Sequence, residues 1–263
     1  MPLSIPIYQV DAFTHQVFGG NPAAVCPLQE WLPEELMQQI AMENNLSETA
    51  FYCPEDDGYR LRWFTPVSEV DLCGHATLAT AHVLFNHEGF EGETLRFMTR
   101  SGLLEVKRTE EGYFMDFPAD HMQAIEAPMG LFEALGAEAE EVYHGREDYL
   151  LIYDKQSTIE ALAPDFRQLG QLSQVRGVIV SAPGEEVDFV SRCFFPKFGI
   201  DEDPTTGSAH TTMTPYWSKR LGKKDLTACQ ISERKGWLRC SDQGERVHLR
   251  GQTITFLQGT ITL

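Results

Sequence analysis

The chain has 263 residues, 42% hydrophobic and 23% charged: long enough for one large domain or two ordinary ones, and unlike disordered, collagenous, coiled-coil or repeat sequences. A formal net charge of −18, with few cations and those only loosely grouped at Lys219–Arg220, Lys223–Lys224 and Arg234–Lys235, argues against a nucleic-acid partner. No apolar run is long enough to cross a bilayer, the start lacks signal-peptide features, and six cysteines with no C-x-x-C pair fit a reduced, cytoplasmic protein without a zinc site.

In chain order, residues 7–13 predict an apolar strand, and Gly19-Gly20-Asn21-Pro22 turns it into a second over 23–26. A helix is expected over 33–43: proline suits its first turn, Glu34 and Glu35 suit the positive dipole end, and Leu32, Leu36 and Ile40 share a face. Asn44-Asn45 stops it. Residues 47–53 read as a strand, with Asp57-Gly58 turning into another over 59–65, where Tyr59, Leu61 and Trp63 alternate with Arg60 and Arg62. Cys73-Gly74-His75 then opens a helix to about Asn86 that is apolar almost all round and therefore belongs in the core. Strands are expected over 94–99, 103–109 and 113–117, and Pro118 ends the pattern.

The remainder follows the same logic. Short helices near 129–135 and 164–172 alternate with strands 142–144, 149–153, 177–181 and 187–195. Gly207-Ser208-Ala209-His210 opens a second special helix that runs to about Leu221 and stops at Gly222, with Pro215 expected to kink it or force a local rearrangement. Strands 227–232, 237–240, 247–250 and 253–263 close the chain. The expected division is residues 1–117, with the C-terminal strand a candidate to complete that half, and residues 118–263.

Two loops carry the candidate chemistry, because each joins glycine to a helix start: Asp71-Leu72-Cys73-Gly74-His75-Ala76-Thr77 and Asp201-Glu202-Asp203-Pro204-Thr205-Thr206-Gly207-Ser208. Free N–H groups of a first helical turn favour an anion, so the pair predicts a carboxylate site, against the alternative of ordinary capping. Glu48 lies in a strand-like segment: facing solvent it is unremarkable, but in a cleft its burial makes it a general acid or base. His75 reads as a cap or a catalytic group, Asp203 as a turn residue or a site residue, and Cys73 as a small buried residue or a thiol activated by the helix end.

Four ordered segments carry a resemblance. They are Gln9-Val10-Asp11-Ala12-Phe13 with Gly20-Asn21-Pro22-Ala23-Ala24-Val25; Leu46-Ser47-Glu48-Thr49-Ala50-Phe51; the Cys73-Gly74-His75 loop; and Glu202-Asp203-Pro204-Thr205-Thr206-Gly207-Ser208-Ala209. With these the chain resembles, over essentially its whole length, the PhzF (phenazine-biosynthesis) family of the diaminopimelate-epimerase-like fold. The resemblance implies an α+β fold of two pseudo-symmetric halves, each a curled, mainly antiparallel, barrel-like sheet around a central helix, with the active site in the cleft between them. It also implies an isomerase that needs no metal or organic cofactor, acts on a small carboxylate and forms homodimers. By the same resemblance Glu48 is the proton-shuttling acid/base, His75 and Asp203 assist it, Gly74, Gly207 and Ser208 hold the substrate carboxylate, and Asn21 lines the site.

One departure matters. Epimerases of this fold use two opposed cysteines, whereas Asp203-Pro204-Thr205 stands where the partner of Cys73 is expected. That favours isomerisation over epimerisation or racemisation and makes Cys73 a structural residue, while a metabolite-binding protein that has lost turnover remains the alternative from another class.

Overall fold

Alternating apolar runs and turn residues give mostly strands, and the computed structural model describes them over residues 3–55, 57–172 and 174–263. The chain forms two compact units, Met1–Asp116 with Arg250–Leu263, and Phe117–Leu249. The C-terminal strand thus belongs to the first unit and not to the C-terminal half. The sheet is mixed, mainly antiparallel, and not a closed barrel.

In the first unit, β1 (Ser4–Ala12), β2 (Asn21–Pro27), α1 (Glu34–Asn44), β3 (Glu48–Glu55), β4 (Gly58–Phe64), β5 (Glu69–Val70), α2 (Gly74–Asn86), β6 (Thr94–Thr99), β7 (Gly102–Thr109) and β8 (Gly112–Pro118) follow one another. β1 pairs antiparallel with β2, β2 runs parallel to β3, and β3 pairs antiparallel with β4. α1 ends at Asn45, whose left-handed φ of 49° lets its N–H close onto the Ala41 carbonyl, the geometry expected of an asparagine stop. Arg62, which alternates with the buried Leu61 and Trp63, is half-buried and held between Glu34 and Glu69.

α2 is the pivot of this unit. Ten of its 13 residues are buried, as its unbroken apolar surface requires, and it packs on β1, β2 and β3. Burial of a leucine or valine side chain of this kind contributes roughly 1.5–3 kcal/mol, so Leu78, Val83 and Leu84 fix the helix firmly beneath the sheet.

The second unit holds β9 (Gln123–Ala124), α3 (Leu131–Leu135), β10 (Glu141–His144), β11 (Asp148–Ile152), α4 (Gln156–Glu160), α5 (Phe166–Leu169), β12 (Gly177–Pro183), β13 (Phe189–Phe195), β14 (Ile200–Asp203), α6 (Gly207–Leu221), β15 (Asp225–Gln230), β16 (Gly236–Asp242) and β17 (Arg246–Gly251). β11 and β12 are parallel, as are β13 and β15, whereas β12–β13 and β15–β16 are antiparallel. β18 (Thr253–Thr262) returns to the first unit and pairs with β1 along the whole of that strand.

α6 packs on β15 and β16 and ends at Gly222 with φ 67°. Pro215 sits inside it without ending it. A proline there removes the N–H that would reach the Thr211 carbonyl four residues back, and that carbonyl instead accepts from the Asp120 backbone N–H at 3.3 Å. The expected rearrangement is therefore a change of partner. Among the described residues no helix is long and apolar enough to cross a membrane.

Candidate active site

The first unit brings four of the expected residues together. Glu48 opens β3, and its parallel register with Ala23 sets it beside the start of β2, where Asn21 lies. Asn21 is fully buried and follows Gly20, whose φ of +58° and closeness to the Ala12 carbonyl (an added Cβ would lie 2.0 Å from that oxygen) admit only glycine. Cys73 is the extended N-cap of α2, and Gly74 and His75 are its first two residues.

His75 is the hub. Its Nε2 lies 3.1 Å from Glu48 Oε2, while Nδ1 is 3.3 Å from Asn21 Nδ2 and 3.5 Å from Cys73 Sγ. The Asn21 amide lies against Nδ1, and which of the two groups donates follows from the protonation of the ring. Nε2 and Oε2 meet off the angle of an aligned hydrogen bond, and both buried atoms lack a hydrogen-bond partner. Such orphaned atoms cost about 1–3 kcal/mol each and mark a place where another group completes the bonding.

Burial works against a charged imidazole at His75. The Cys73 sulfur and the Glu48 carboxylate beside it outweigh that penalty and hold it well above the ordinary histidine value. Burial, followed by the Glu48 charge, pushes the Cys73 thiol up to about 11. Cys73 is thus a neutral thiol at pH 7, and the carboxylate is the anion that the imidazole answers.

Glu48, Cys73 and His75 offer ligand atoms that all lie within 4.8 Å of one another, a donor set zinc accepts. However, Glu48 faces one ring nitrogen and Cys73 the other.

The second unit holds Asp203, Gly207 and Ser208. Asp203 is the buried last residue of β14, a short strand within the stretch expected to be a loop, paired with Cys193 of β13. Gly207 and Ser208 start α6, whose N-cap is Thr206. The Thr206 hydroxyl donates to the Asp203 carboxylate and makes no cap bond to its own helix. Cys73 likewise gives no side-chain cap to α2. At neither helix start does the N-cap side chain make a cap hydrogen bond. In α6 the residue at the position of Cys73 is Thr206, one beyond the stretch where the sequence placed the missing thiol.

Sequence reasoning missed Arg176 and Asp148. The Arg176 guanidinium is held by Asp148 through Nε at 3.1 Å and Nη2 at 2.5 Å, lies over the Phe195 ring, and donates to Ser208 Oγ at 3.2 Å. Arginine only donates, so Ser208 accepts there and keeps its own O–H for an outside acceptor. Nothing in the sequence links Arg176 to a serine 32 residues away; the contact exists only through the sheet.

With this geometry in hand, comparison with known proteins is direct. The family description "PhzC-PhzF: Phenazine biosynthesis-like protein" matches residues 10–259. The chain belongs to the PhzC-PhzF family. An uncharacterized isomerase of Pseudomonas aeruginosa is 53% identical over 261 residues, covering 99% of this chain and 100% of the relative. A crystal structure of a PhzF-family phenazine biosynthesis protein of Enterococcus faecalis superposes with a TM-score of 0.95 at 49% identity, covering 99% of this chain and 100% of that one. A predicted epimerase of Pseudomonas aeruginosa, 19% identical with a TM-score of 0.73 over 98% of this chain and 99% of its own, shares the fold. The family and the α+β epimerase-like fold expected from the sequence are those of these proteins, and full-length relatives carry the name isomerase.

Proposed function

We propose that this protein is an isomerase that moves a proton on a small cyclic or amino carboxylate, with Glu48 as the general acid/base. The observation that carries the reading is the 3.1 Å approach of Glu48 Oε2 to His75 Nε2, both buried and both short of a hydrogen-bond partner. A carboxylate so placed removes a proton from carbon and returns it at another carbon, while the imidazole takes up or gives back charge. The uncapped first-turn amides at Gly74 and at Gly207–Ser208, with the Ser208 hydroxyl, are assigned to the substrate carboxylate and to the negative charge that develops beside it. Asp203 and Asn21 are assigned to orienting polar groups of the substrate. No step requires a metal or an organic cofactor, and the homodimer belongs to the same reading, to be checked by light scattering in solution.

The test is deuterium incorporation from heavy water into carboxylate metabolites, followed by NMR. Glu48→Gln is expected to lower the incorporation rate by about 100-fold or more, the usual contribution of a positioned acid/base; an unchanged rate removes Glu48 from the role.

Epimerisation is the second reading, favoured by the likeness in fold to a predicted epimerase. It needs acid and base on opposite faces, and the neutral Cys73 thiol would be one of them. Cys73→Ser should keep deuterium incorporation within about tenfold of the parent if one carboxylate does the work, and lose it as fully as Glu48→Gln if the thiol is a partner.

A further inference from the structure

Gln230, the last residue of β15, is fully buried, yet its side chain ends in a polar amide. A buried amide with no bonding would cost several kcal/mol, and here both ends are used. Its Nε2–H donates to the Asp203 carbonyl at 2.7 Å and to Thr206 Oγ1 at 3.3 Å, and its Oε1 accepts from the Thr206 backbone N–H at 2.8 Å. The donor and acceptor ends of the amide are fixed by these partners, since only Oε1 can receive the Thr206 N–H. Thr206 Oγ1, held from behind, in turn donates to Asp203 Oδ2.

We propose that Gln230 is the positioning residue of the Asp203 carboxylate, its amide clamping both ends of the Asp203–Thr206 turn from the wall of the sheet. The inference rests on the assignment of Asp203 to the substrate site. Asp203 ends a strand and Thr206 caps a helix, so the turn between them is joined to two rigid elements whose separation sets the carboxylate's direction. The amide ties the main chain of both residues to a third element, β15. It also dictates which way the Thr206 hydroxyl points, because an oxygen that accepts from Nε2 turns its own hydrogen to Asp203. A hydrophobic residue of the same volume would fill the space and set neither direction.

The test uses the full chain, 2-aminobenzoate as the carboxylate probe, and 13C-labelled aspartate so that NMR reads the Asp203 carboxyl. Gln230→Glu keeps the shape, removes both amide protons and sets a second carboxylate behind the turn; Gln230→Met removes the hydrogen bonds at similar volume. In both, 2-aminobenzoate should bind about tenfold more weakly, the effect of roughly one lost buried hydrogen bond. The Asp203 carboxyl should titrate at a different pH from the parent, and at a higher one in Gln230→Glu because like charges oppose ionisation. A residue with only a packing role would lower thermal stability in Gln230→Met and leave the Asp203 titration where it was.

Should Gln230→Met not fold, Gln230→Glu and the parent decide. In the parent the Gln230 side-chain amide signal is expected to shift in step with Asp203 and to lose that step in Asp203→Asn; a signal indifferent to Asp203 counts against the clamp. Parent-like titration and affinity in the folded Gln230 variants overturn the inference. Asp203→Asn separates the two readings. Unchanged 2-aminobenzoate affinity in it removes Asp203 from the site and the inference with it, whereas weakened affinity there alone overturns only the role of Gln230.

Discussion

Two buried histidines and a half-buried one, His75, His210 and His82, respond to pH in opposite senses. Burial alone would disfavour the charged form of His75, but the neighbouring sulfur and carboxylate raise it above the usual range. A raised folded value means that its contribution to stability is complete below about pH 6.5, the ordinary histidine value, and is lost as pH climbs through the folded value. Urea unfolding of the parent and of His75→Gln should therefore differ most at mildly acidic pH and converge as the solution becomes alkaline. His82 and His210 behave conversely. Burial, joined in His82 by the charges of His87 and Arg108, lowers both to about 4. Their contribution is present above about pH 6.5 and is lost as pH falls toward 4, so the acid limb of the stability curve belongs to them. At this scale the sequence was a good guide to residue types and a poor one to partners. Glycine before a helix pointed to Gly74 and Gly207, but neither the Arg176–Ser208 contact nor the reach of Gln230 to Asp203 leaves any mark in local spacing.

Among the elements, α6 shows how a sequence rule is obeyed and its usual consequence avoided. Proline within a helix removes a bond and commonly costs about 3 kcal/mol against alanine. Here the stranded Thr211 carbonyl already has the Asp120 N–H, so Pro215→Ala gains a donor whose acceptor is occupied. Chemical denaturation should show Pro215→Ala stabilising the protein by less than about 1 kcal/mol, well short of the full helix-propensity difference. The helices with long periodic patterns, α1, α2 and α6, were legible because apolar spacing and terminal asparagine or glycine state both face and limit. β5, β9 and α4, of two, two and five residues, were not, since elements so short carry no period to read and form only because neighbours hold them.

For the whole molecule, the chain divides into two compact units, one of them built from segments far apart in sequence. The register of β1 with β18 runs from Ser4–Thr262 to Ala12–Thr253, which no local pattern could announce because the partners stand at opposite ends of the sequence. Deleting residues 253–263 should strip β1 of this ladder. Hydrogen exchange is expected to quicken across β1 and β2 and to remain slow in β12 and β13, whose partners all lie in the second unit.

That same ladder sets the order of events during synthesis. The second unit is one uninterrupted stretch and is complete in sequence once Leu249 has been made. The first unit, although it leaves the ribosome earlier, must wait for Thr253–Thr262 before β1, already beside β2, meets its second partner. At roughly 5–20 residues per second the interval from Ala12 to Thr253 is on the order of ten to fifty seconds. Through that time β1 offers an unpaired edge, the feature that invites association between chains. The half of the protein that carries Glu48 and His75 is thus born first and finished last, and crowding on the ribosome should harm it before it harms the half that carries Asp203.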